Sequence, residues 1–351
     1  MNDLPLALTY NDVLLVPQYS EINSRKEVDL STKLTKSLEI KFPIISINMD
    51  TVTGIEMAVA MYKFGGMSFF PRFLPPKEQA DAVKKILDLG AITVPAIGVK
   101  NTDLERVKLL VKSEINTITI DVAHGHMKQC LDLIKKIKKE YKELEIIAGV
   151  IATYEGARDL FEAGADAVRV GVGPGTICTT RVQTGSGVPQ ITATMDAYKA
   201  AKEYGKIVIT DGGTKTTGDI VKALASGANA VVTGSQLAGT NEAPGEIVVR
   251  DGEKFKKYNA STSYTEKVKQ FNGFSNDKSK DYVKYIEGVE SLVRYKGPVE
   301  NVLSSMEKGI RSGLSYSGAK NIQELHEKAK FIRVTSASLQ ENGAHGVVLD
   351  L

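Results

Sequence analysis

A glycine-rich loop that ends in a cysteine is the feature of the sequence with the clearest chemical potential. In the segment VGVGPGTICTTR, Gly171, Gly173 and Gly175 leave backbone carbonyl and N–H groups uncovered. Cys178 follows them, and a lone cysteine in such a loop is a candidate nucleophile. The alternative is a small buried hydrophobic side chain. We prefer that alternative for Cys130, because it lies within a predicted amphipathic helix.

Two further glycine loops, TDGGTKTTGD and TGSQLAG, each follow an apolar run and precede a helical pattern. Backbone N–H groups of such loops, together with helix N-termini, bind phosphate. Asp211 ends the apolar run before the first loop, which indicates a carboxylate that accepts ribose hydroxyls. Asp121 opens the motif DVAHGH and predicts a contact with a second ligand. His124 and His126 in that motif have no third ligand nearby, which argues against a metal site.

Eight short apolar runs alternate with helical patterns and must position these loops. Each run is apolar throughout, as in parallel strands buried on both faces. Eight strand–helix units predict an α/β fold, a (β/α)8 TIM barrel, with a doubly wound open sheet as the alternative. In a barrel, the loops that follow the strands form the active site. The predicted strands cover residues 43–49, 67–72, 93–99, 116–122, 145–151, 166–172, 206–212 and 229–235.

After the eighth predicted strand the alternation stops. Residues 244–294 form a long insertion that contains a polar, lysine-rich stretch. A long insertion of this kind in a compact domain is typical of a lid or a disordered segment, and we interpret it as a flap over the site. The helical pattern then resumes in VENVLSSMEKGIRSGL. The sequence therefore predicts one catalytic domain over residues 1–351, with the flap inserted after strand eight.

The composition narrows the class of protein. The chain has 351 residues, of which 42% are hydrophobic, and a net charge of +3, which fits a globular domain with a full core. Basic and acidic residues are interspersed, which argues against nucleic acid or a membrane surface as the partner. The two cysteines exclude a disulfide framework. Neither a signal peptide nor an apolar run of about 20 residues is found, so we expect a cytoplasmic enzyme.

At these motifs the sequence resembles the family of IMP dehydrogenase and GMP reductase, over nearly the whole chain. The segments LTYNDVLLVPQYSEI, NMDTVT, DVAHGH, GVGPGTICTTR, TDGGTKTTGDIVKAL and GSQLAGTNEAPGE are similar to its signatures. The resemblance implies a TIM barrel that binds IMP or GMP, uses NAD or NADPH, holds a potassium ion and forms a homotetramer. IMP dehydrogenases commonly insert a pair of CBS modules after the second strand. Only the short LPPKEQADAVKKILDLGAI lies there, which implies a barrel without them.

The resemblance also implies roles for individual residues. Cys178 would attack C2 of the purine ring, Thr180 would help to activate water or ammonia, and Glu287 would bind the purine edge. Asp121 would contact the ribose on the nicotinamide side of the cofactor. The remaining nucleotide contacts would be Met49 at the base, Asp211 at the ribose, and Thr176, Gly213, Gly234, Ser235 and Tyr258 at the phosphate. The backbone carbonyls of Gly173, Gly175 and Cys178 would be the potassium ligands.

The direction of the reaction depends on finer detail. DVAHGH, GTNEAPGE and SASLQENG resemble the dehydrogenase, and IMP dehydrogenase is our first hypothesis. The flap departs from that pattern, because Phe274 and Ser275 stand where dehydrogenases carry an Arg-Tyr dyad, YNASTS replaces YRGMGS, and Val150 replaces an asparagine. GMP reductase is therefore the alternative, with Glu266 as a candidate for its glutamate. A divergent purine-nucleotide-binding homologue is the third hypothesis.

Overall fold

The computed structural model describes residues 4–100, 102–274 and 282–343. Its central strands are all parallel and close into a barrel, because Val231 of the last strand pairs with Ile44 of the first. The predicted (β/α)8 TIM barrel is thus confirmed, and the open doubly wound sheet is excluded. The strands are β1 Ile44–Ser46, β2 Met67–Phe70, β3 Val94–Ile97, β4 Thr117–Asp121, β5 Glu145–Ile151, β6 Ala167–Val170, β7 Ile207–Asp211 and β8 Ala230–Thr233.

A helix follows each strand and covers the outside of the barrel. In the fourth of these helices the buried positions Cys130, Leu133, Ile134 and Ile137 recur at the spacing of one helical face. The burial expected for Cys130 is thereby confirmed. The helices are α1 Ile55–Phe64, α2 Pro76–Asp88, α3 Thr102–Lys112, α4 Lys128–Glu140, α5 Tyr154–Ala163, α6 Gln190–Tyr204, α7 Thr217–Ala225 and α8 Val299–Tyr316, with a short helix Thr180–Thr184 before α6 and another, Ile322–Lys328, after α8.

Two pairs of short strands lie outside the barrel. Val13–Leu15 pairs antiparallel with Phe331–Arg333, and Thr32–Lys33 pairs with Glu39–Ile40. The first pair joins segments more than three hundred residues apart, so local sequence patterns do not reveal it. Among the helices of the described residues, none has both the length and the apolar character required to cross a bilayer.

The insertion after β8 is a folded flap. It contains a three-stranded antiparallel sheet with β9 Val248–Arg250, β10 Glu253–Asn259 and β11 Glu290–Arg294. A helix of eleven residues, Tyr264–Phe274, connects β10 toward β11, and we call it the flap helix. The register pairs Tyr258 of β10 with Ser291 of β11. The sheet and the helix were not predicted from the sequence, and they carry the flap residues to the mouth of the barrel.

Candidate active site

A cavity of about 230 Å³ lies at the carboxyl ends of the barrel strands. It is bounded by the loops after β6, β7 and β8 and by the end of β4, which is where a TIM barrel places its active site. Glu287 does not line the cavity directly, but it is hydrogen-bonded to Thr180, which does. The predicted residues that line it are Met49, Asp121, Gly173, Gly175, Thr176, Cys178, Thr180, Asp211, Gly213, Gly234, Ser235 and Tyr258.

Cys178, Thr180 and Glu287 form a hydrogen-bonded chain. The Cys178 thiol donates to Thr180 Oγ1 over 3.2 Å. The Thr180 hydroxyl in turn donates to Glu287 Oε2 over 2.7 Å. A carboxylate therefore lies at the end of a short proton path that begins at the sulfur. Such a path suits a nucleophile whose proton must leave, and equally suits a water molecule that occupies the same place.

A short antiparallel bridge between the cysteine loop and the flap fixes this chain. The amide of Thr179 donates to the carbonyl of Glu287 over 2.9 Å, and the amide of Val289 donates to the carbonyl of Ile177 over 3.1 Å. Gly288 lies between the two bonds, where a Cβ would come within 2.2 Å of a neighbouring side chain. Glycine is therefore required at this crossing. The flap carboxylate is held by backbone contacts as well as by its own hydrogen bond.

Arg181 holds the two ends of the cysteine loop together. Its Nε donates to the carbonyl of Val172 over 3.1 Å, and its Nη2 donates to the carbonyl of Val188 over 2.6 Å. Gly173 has a φ of +76°, and a Cβ there would lie 2.7 Å from the Arg181 side chain. Only glycine fits that conformation without strain. The cysteine is therefore presented from a loop whose shape is fixed.

The loops after β7 and β8 form a pocket rich in backbone N–H groups. Gly212 and Gly213 have φ values of +78° and +84°, a left-handed conformation that glycine adopts at low cost. The loop leads into α7, whose first turn is capped by Thr216 Oγ1, which accepts the amide of Asp219 over 3.2 Å. The backbone N–H groups of such glycine turns bind anions. The pocket therefore fits a phosphate group.

Tyr258 of β10 lies over this pocket. A Cβ at Gly234 would lie 2.9 Å from the Tyr258 hydroxyl, so the loop after β8 and the flap are in close contact there. Burial raises the pKa of Tyr258, and the Asp211 carboxylate acts in the same direction. The phenol therefore keeps its proton and is available as a hydrogen-bond donor to an anion.

Arg169 is a buried arginine that the sequence analysis did not single out. It lies on β6 inside the barrel, with 1% of its surface exposed. Its guanidinium donates to Asp211 Oδ2 over 2.6 Å and to Asn48 Oδ1 over 3.1 Å. Burial raises the pKa of Asp211, and Arg169 counteracts that rise. The arginine therefore orients Asp211 beneath the cavity and compensates its charge. In the sequence, the only indication of this buried arginine is its position among the apolar residues of the predicted strand DAVRVGV.

Asp121 at the end of β4 is bound by two arginines. Arg72 Nε donates to its Oδ2 over 3.2 Å, and Arg169 Nη1 donates to its Oδ1 over 3.4 Å. The Arg72 guanidinium also lies over the Phe73 ring, 4.2 Å from the centroid. Phe73 and Val150 line the same half of the cavity. This half therefore combines an apolar wall with a carboxylate of fixed orientation.

Glu266 does not lie at the cysteine. It is buried on the flap helix, where Asn259 Nδ2 donates to its Oε1 over 3.1 Å and Lys269 Nζ donates to the same oxygen over 2.9 Å. Thr180 hydrogen-bonds with Glu287 instead. The hypothesis that Glu266 is the glutamate that works with threonine is therefore wrong, and Glu287 occupies that place. The flap helix ends at Phe274, whereas Ser275 lies outside the described residues.

Asp50, which follows Met49 after β1, provides a pH-dependent test of the contact between flap and barrel. Burial of its carboxylate, followed by repulsion from Glu266, raises the pKa of Asp50 to about 6. An aspartate with a raised pKa binds more protons in the folded state than in the unfolded state between about pH 4 and pH 6. The free energy of unfolding therefore falls as the pH rises through that window.

The substitution Asp50→Asn is accordingly expected to stabilise the protein above about pH 7. Although the carboxylate is surrounded by protein atoms, the residue is exposed to solvent, which screens the charge, so we expect a gain of at most about 1 kcal/mol. Urea unfolding of the variant and the wild type at several pH values measures it. The difference should shrink toward about pH 4. A gain that does not change with pH would mean that ionisation of Asp50 is not its cause.

Comparisons with known proteins agree with this geometry. The family model described as IMP dehydrogenase / GMP reductase domain matches residues 7–345. An inosine-5'-monophosphate dehydrogenase of Nitrosopumilus maritimus is 34% identical over 471 aligned positions, which cover 97% of this chain and 98% of that protein. A GMP reductase of Leishmania donovani is 33% identical over 485 positions, with 98% of both chains covered.

A solved structure is also closely similar. It is a cysteine-to-alanine variant of GMP reductase from Trypanosoma brucei in complex with guanosine 5'-monophosphate. The two folds superpose with a TM-score of 0.92 at 30% sequence identity, over 98% of this chain and 99% of that one. The family match over nearly all of the chain, the barrel and the cysteine beside the glycine loops lead to one conclusion: the chain belongs to the IMP dehydrogenase / GMP reductase family of oxidoreductases.

Proposed function

We propose that the protein is an IMP dehydrogenase, which converts IMP, NAD and water to XMP and NADH. The observation that carries the proposal is the hydrogen-bonded chain from Cys178 through Thr180 to Glu287, beside loops that fit a phosphate. Relatives named inosine-5'-monophosphate dehydrogenase in Nitrosopumilus maritimus, Aquifex aeolicus and Bacillus subtilis, at 34–35% identity, support it.

The cavity offers matching groups for each part of a purine nucleotide. The 5'-phosphate would be bound by the amides and hydroxyls of the glycine loops, and Asp211 would accept the ribose hydroxyls. The base would lie between Met49 and Cys178, with its edge toward Glu287. These contacts would place C2 of the ring against the sulfur, so much of the rate would come from orientation. The phosphate contacts are Thr176, Gly213, Gly234, Ser235 and Tyr258, which all line the cavity.

In the proposed reaction the Cys178 thiol gives its proton through Thr180 to Glu287, which releases it to solvent. The sulfur bonds to C2 of the purine, and C2 gives up its hydrogen as hydride. Bound NAD supplies the acceptor for that hydride. Water then replaces the sulfur at C2: Thr180 takes the proton of the water and passes its own proton to Glu287, 2.7 Å away. General-base assistance of this kind contributes about 10²–10⁴-fold. Glu287 then returns this proton through Thr180 to the departing sulfur, so the thiol is regenerated and XMP is released.

The half of the cavity around Asp121 fits the nicotinamide side of the cofactor. Its apolar wall of Phe73 and Val150 suits a planar ring, and the Asp121 carboxylate, held by two arginines, suits ribose hydroxyls. We propose NAD rather than NADPH because the dehydrogenase reaction that we propose uses NAD as its hydride acceptor. Potassium would be bound by the carbonyls of Gly173, Gly175 and Cys178. The Gly175 carbonyl accepts the amide of Cys178 over 3.1 Å and retains a lone pair for such a cation.

The organisation of the chain is part of the proposal. A single catalytic barrel without CBS modules is supported by the short connection between β2, which ends at Phe70, and α2, which begins at Pro76. We further propose a cytoplasmic homotetramer with a nucleotide substrate and no nucleic-acid partner.

GMP reductase is the second candidate, in which the same cysteine adduct would form as ammonia leaves GMP and NADPH would return the hydride. The observation that favours it is the flap, which has no arginine between Arg250 and Arg294 to assist hydrolysis. The pair of Thr180 and Glu287 could transfer a proton to departing ammonia as well as take one from water.

An assay of both directions separates the two candidates. With IMP and NAD, the dehydrogenase should produce NADH absorbance that grows with time and depends on both substrates. With GMP and NADPH, the reductase should consume NADPH absorbance. Growth only in the first mixture supports our proposal, and loss only in the second supports the alternative. Nucleotide binding without hydride transfer in either mixture would favour a divergent binding protein and contradict both.

A further inference from the structure

The segment around Glu287 rests on the flap helix as well as on the cysteine loop. The amide of Glu287 donates to the carbonyl of Thr262 over 3.3 Å. From the flap helix, Gln270 Nε2 donates to the carbonyl of Ser261 over 2.8 Å, and Lys267 Nζ donates to the carbonyl of Tyr285. The flap helix therefore contacts both the segment of Ser261 and Thr262 and the segment that leads from Tyr285 to Glu287.

Lys267 is unusual among these contacts because it is a buried lysine. Its surface is only 7% exposed, and a buried ammonium group is costly unless it has polar partners. Burial lowers the pKa of Lys267, whereas the Glu287 carboxylate opposes that change. The lysine charge therefore acts on the carboxylate that accepts the Thr180 hydrogen bond, and the lysine's own hydrogen bond to Tyr285 lies two residues before that carboxylate in the chain.

We propose that Lys267 is a positioning residue for Glu287, which it holds on Thr180 by its bond to the Tyr285 carbonyl and by its charge. This inference rests on the proposed function. Glu287 accepts the proton of water during hydrolysis of the cysteine adduct, so misplacement of its carboxylate slows that step. Most contacts to the nucleotide, those at its phosphate and ribose, come from other residues, and hydrolysis depends on this carboxylate more than formation of the adduct does. KM for IMP therefore changes much less than kcat. In a flap that has no arginine between Arg250 and Arg294, a cation whose charge acts on Glu287 thus comes from the flap helix.

The experiment compares Lys267→Met with Lys267→Arg and with the control Lys269→Met. Lys269 lies on the same helix, with 64% of its side chain exposed, and pairs with Glu266. Steady-state kcat, KM for IMP and the fraction of Cys178 that carries the purine adduct in acid-quenched samples are measured. Lys267→Met should lower kcat about tenfold or more, leave KM for IMP within about twofold, and raise the adduct fraction. Arginine should restore most of kcat, and the control should stay within about twofold of wild type.

Lys267→Gln separates charge from hydrogen bonding and provides a second variant if methionine prevents folding. It can still donate to the Tyr285 carbonyl, so a kcat as low as that of methionine assigns the effect to the charge. A KM that rises as much as kcat falls, an adduct fraction that falls with kcat, or an unchanged kcat in these variants would overturn the positioning role alone. Absence of any adduct and of NADH formation in the wild type would overturn the proposed function, and this inference with it.

Discussion

Replacing Cys178 with alanine is expected to abolish turnover and to leave nucleotide affinity within about threefold of wild type. The sulfur is the atom that bonds to the purine, and loss of a nucleophile costs about 10⁴–10⁶ in kcat. The groups that fit the phosphate and ribose belong to other loops, and they lose no contact with the ligand. Steady-state assays with IMP and NAD measure kcat, and calorimetric titration with IMP alone measures affinity.

Cys130 provides a matched control within the same chain. It is buried in α4, and burial raises the pKa of its thiol to about 12, so it remains a thiol at neutral pH. Cys130→Ala should keep kcat within about twofold and should cost about 1 kcal/mol of stability through the cavity left in the core. Loss of activity in the Cys130 variant, or retained turnover in the Cys178 variant, would refute the assignment of the nucleophile.

The barrel could be predicted from the sequence because its strands are marked locally. Each of the eight strands is a short run of buried apolar residues, and each prediction overlaps the observed strand. β5 is predicted at its observed ends, and each of the other predictions extends one to three residues beyond at least one end of its strand. The flap carries no such mark. In β10, the run EKFKKYN is mostly charged, because the outer face of the flap sheet is exposed, and the pairing that stabilises it comes from β11.

The site could be predicted as far as its residues lie in contiguous loops. Cys178 and the glycine loops are marked by composition, and the barrel brings these loops together. Arg169, Arg72 and Lys267 were missed because their partners lie elsewhere in the sequence: Arg169 binds Asn48, which is 121 positions away. The role of a charged residue in a strand or in the flap can be assigned only once the fold shows which carboxylate lies near it.

Replacing Arg169 with methionine is expected to destabilise the protein by about 3–5 kcal/mol near pH 7, because an uncompensated carboxylate remains buried. Asp211 loses the partner that lies 2.6 Å away, and its pKa, already raised by burial, rises further. A group with a raised folded pKa costs more stability as the pH rises above its unfolded value. The deficit should therefore be smaller at about pH 5 than at about pH 8. Urea unfolding at both pH values measures it.

The exposed pair of Arg158 and Asp159 is the control for this prediction, since its atoms lie 2.8 Å apart with 40% and 27% of the side chains exposed. Arg158→Met should lower the free energy of unfolding far less than Arg169→Met does at either pH, because solvent screens this pair. A second substitution, Asp211→Asn, should restore a large part of the stability that Arg169→Met loses, because it removes the stranded charge. Equal losses in the two arginine variants, or no recovery in the double variant, would mean that Arg169 contributes through packing rather than by compensating Asp211.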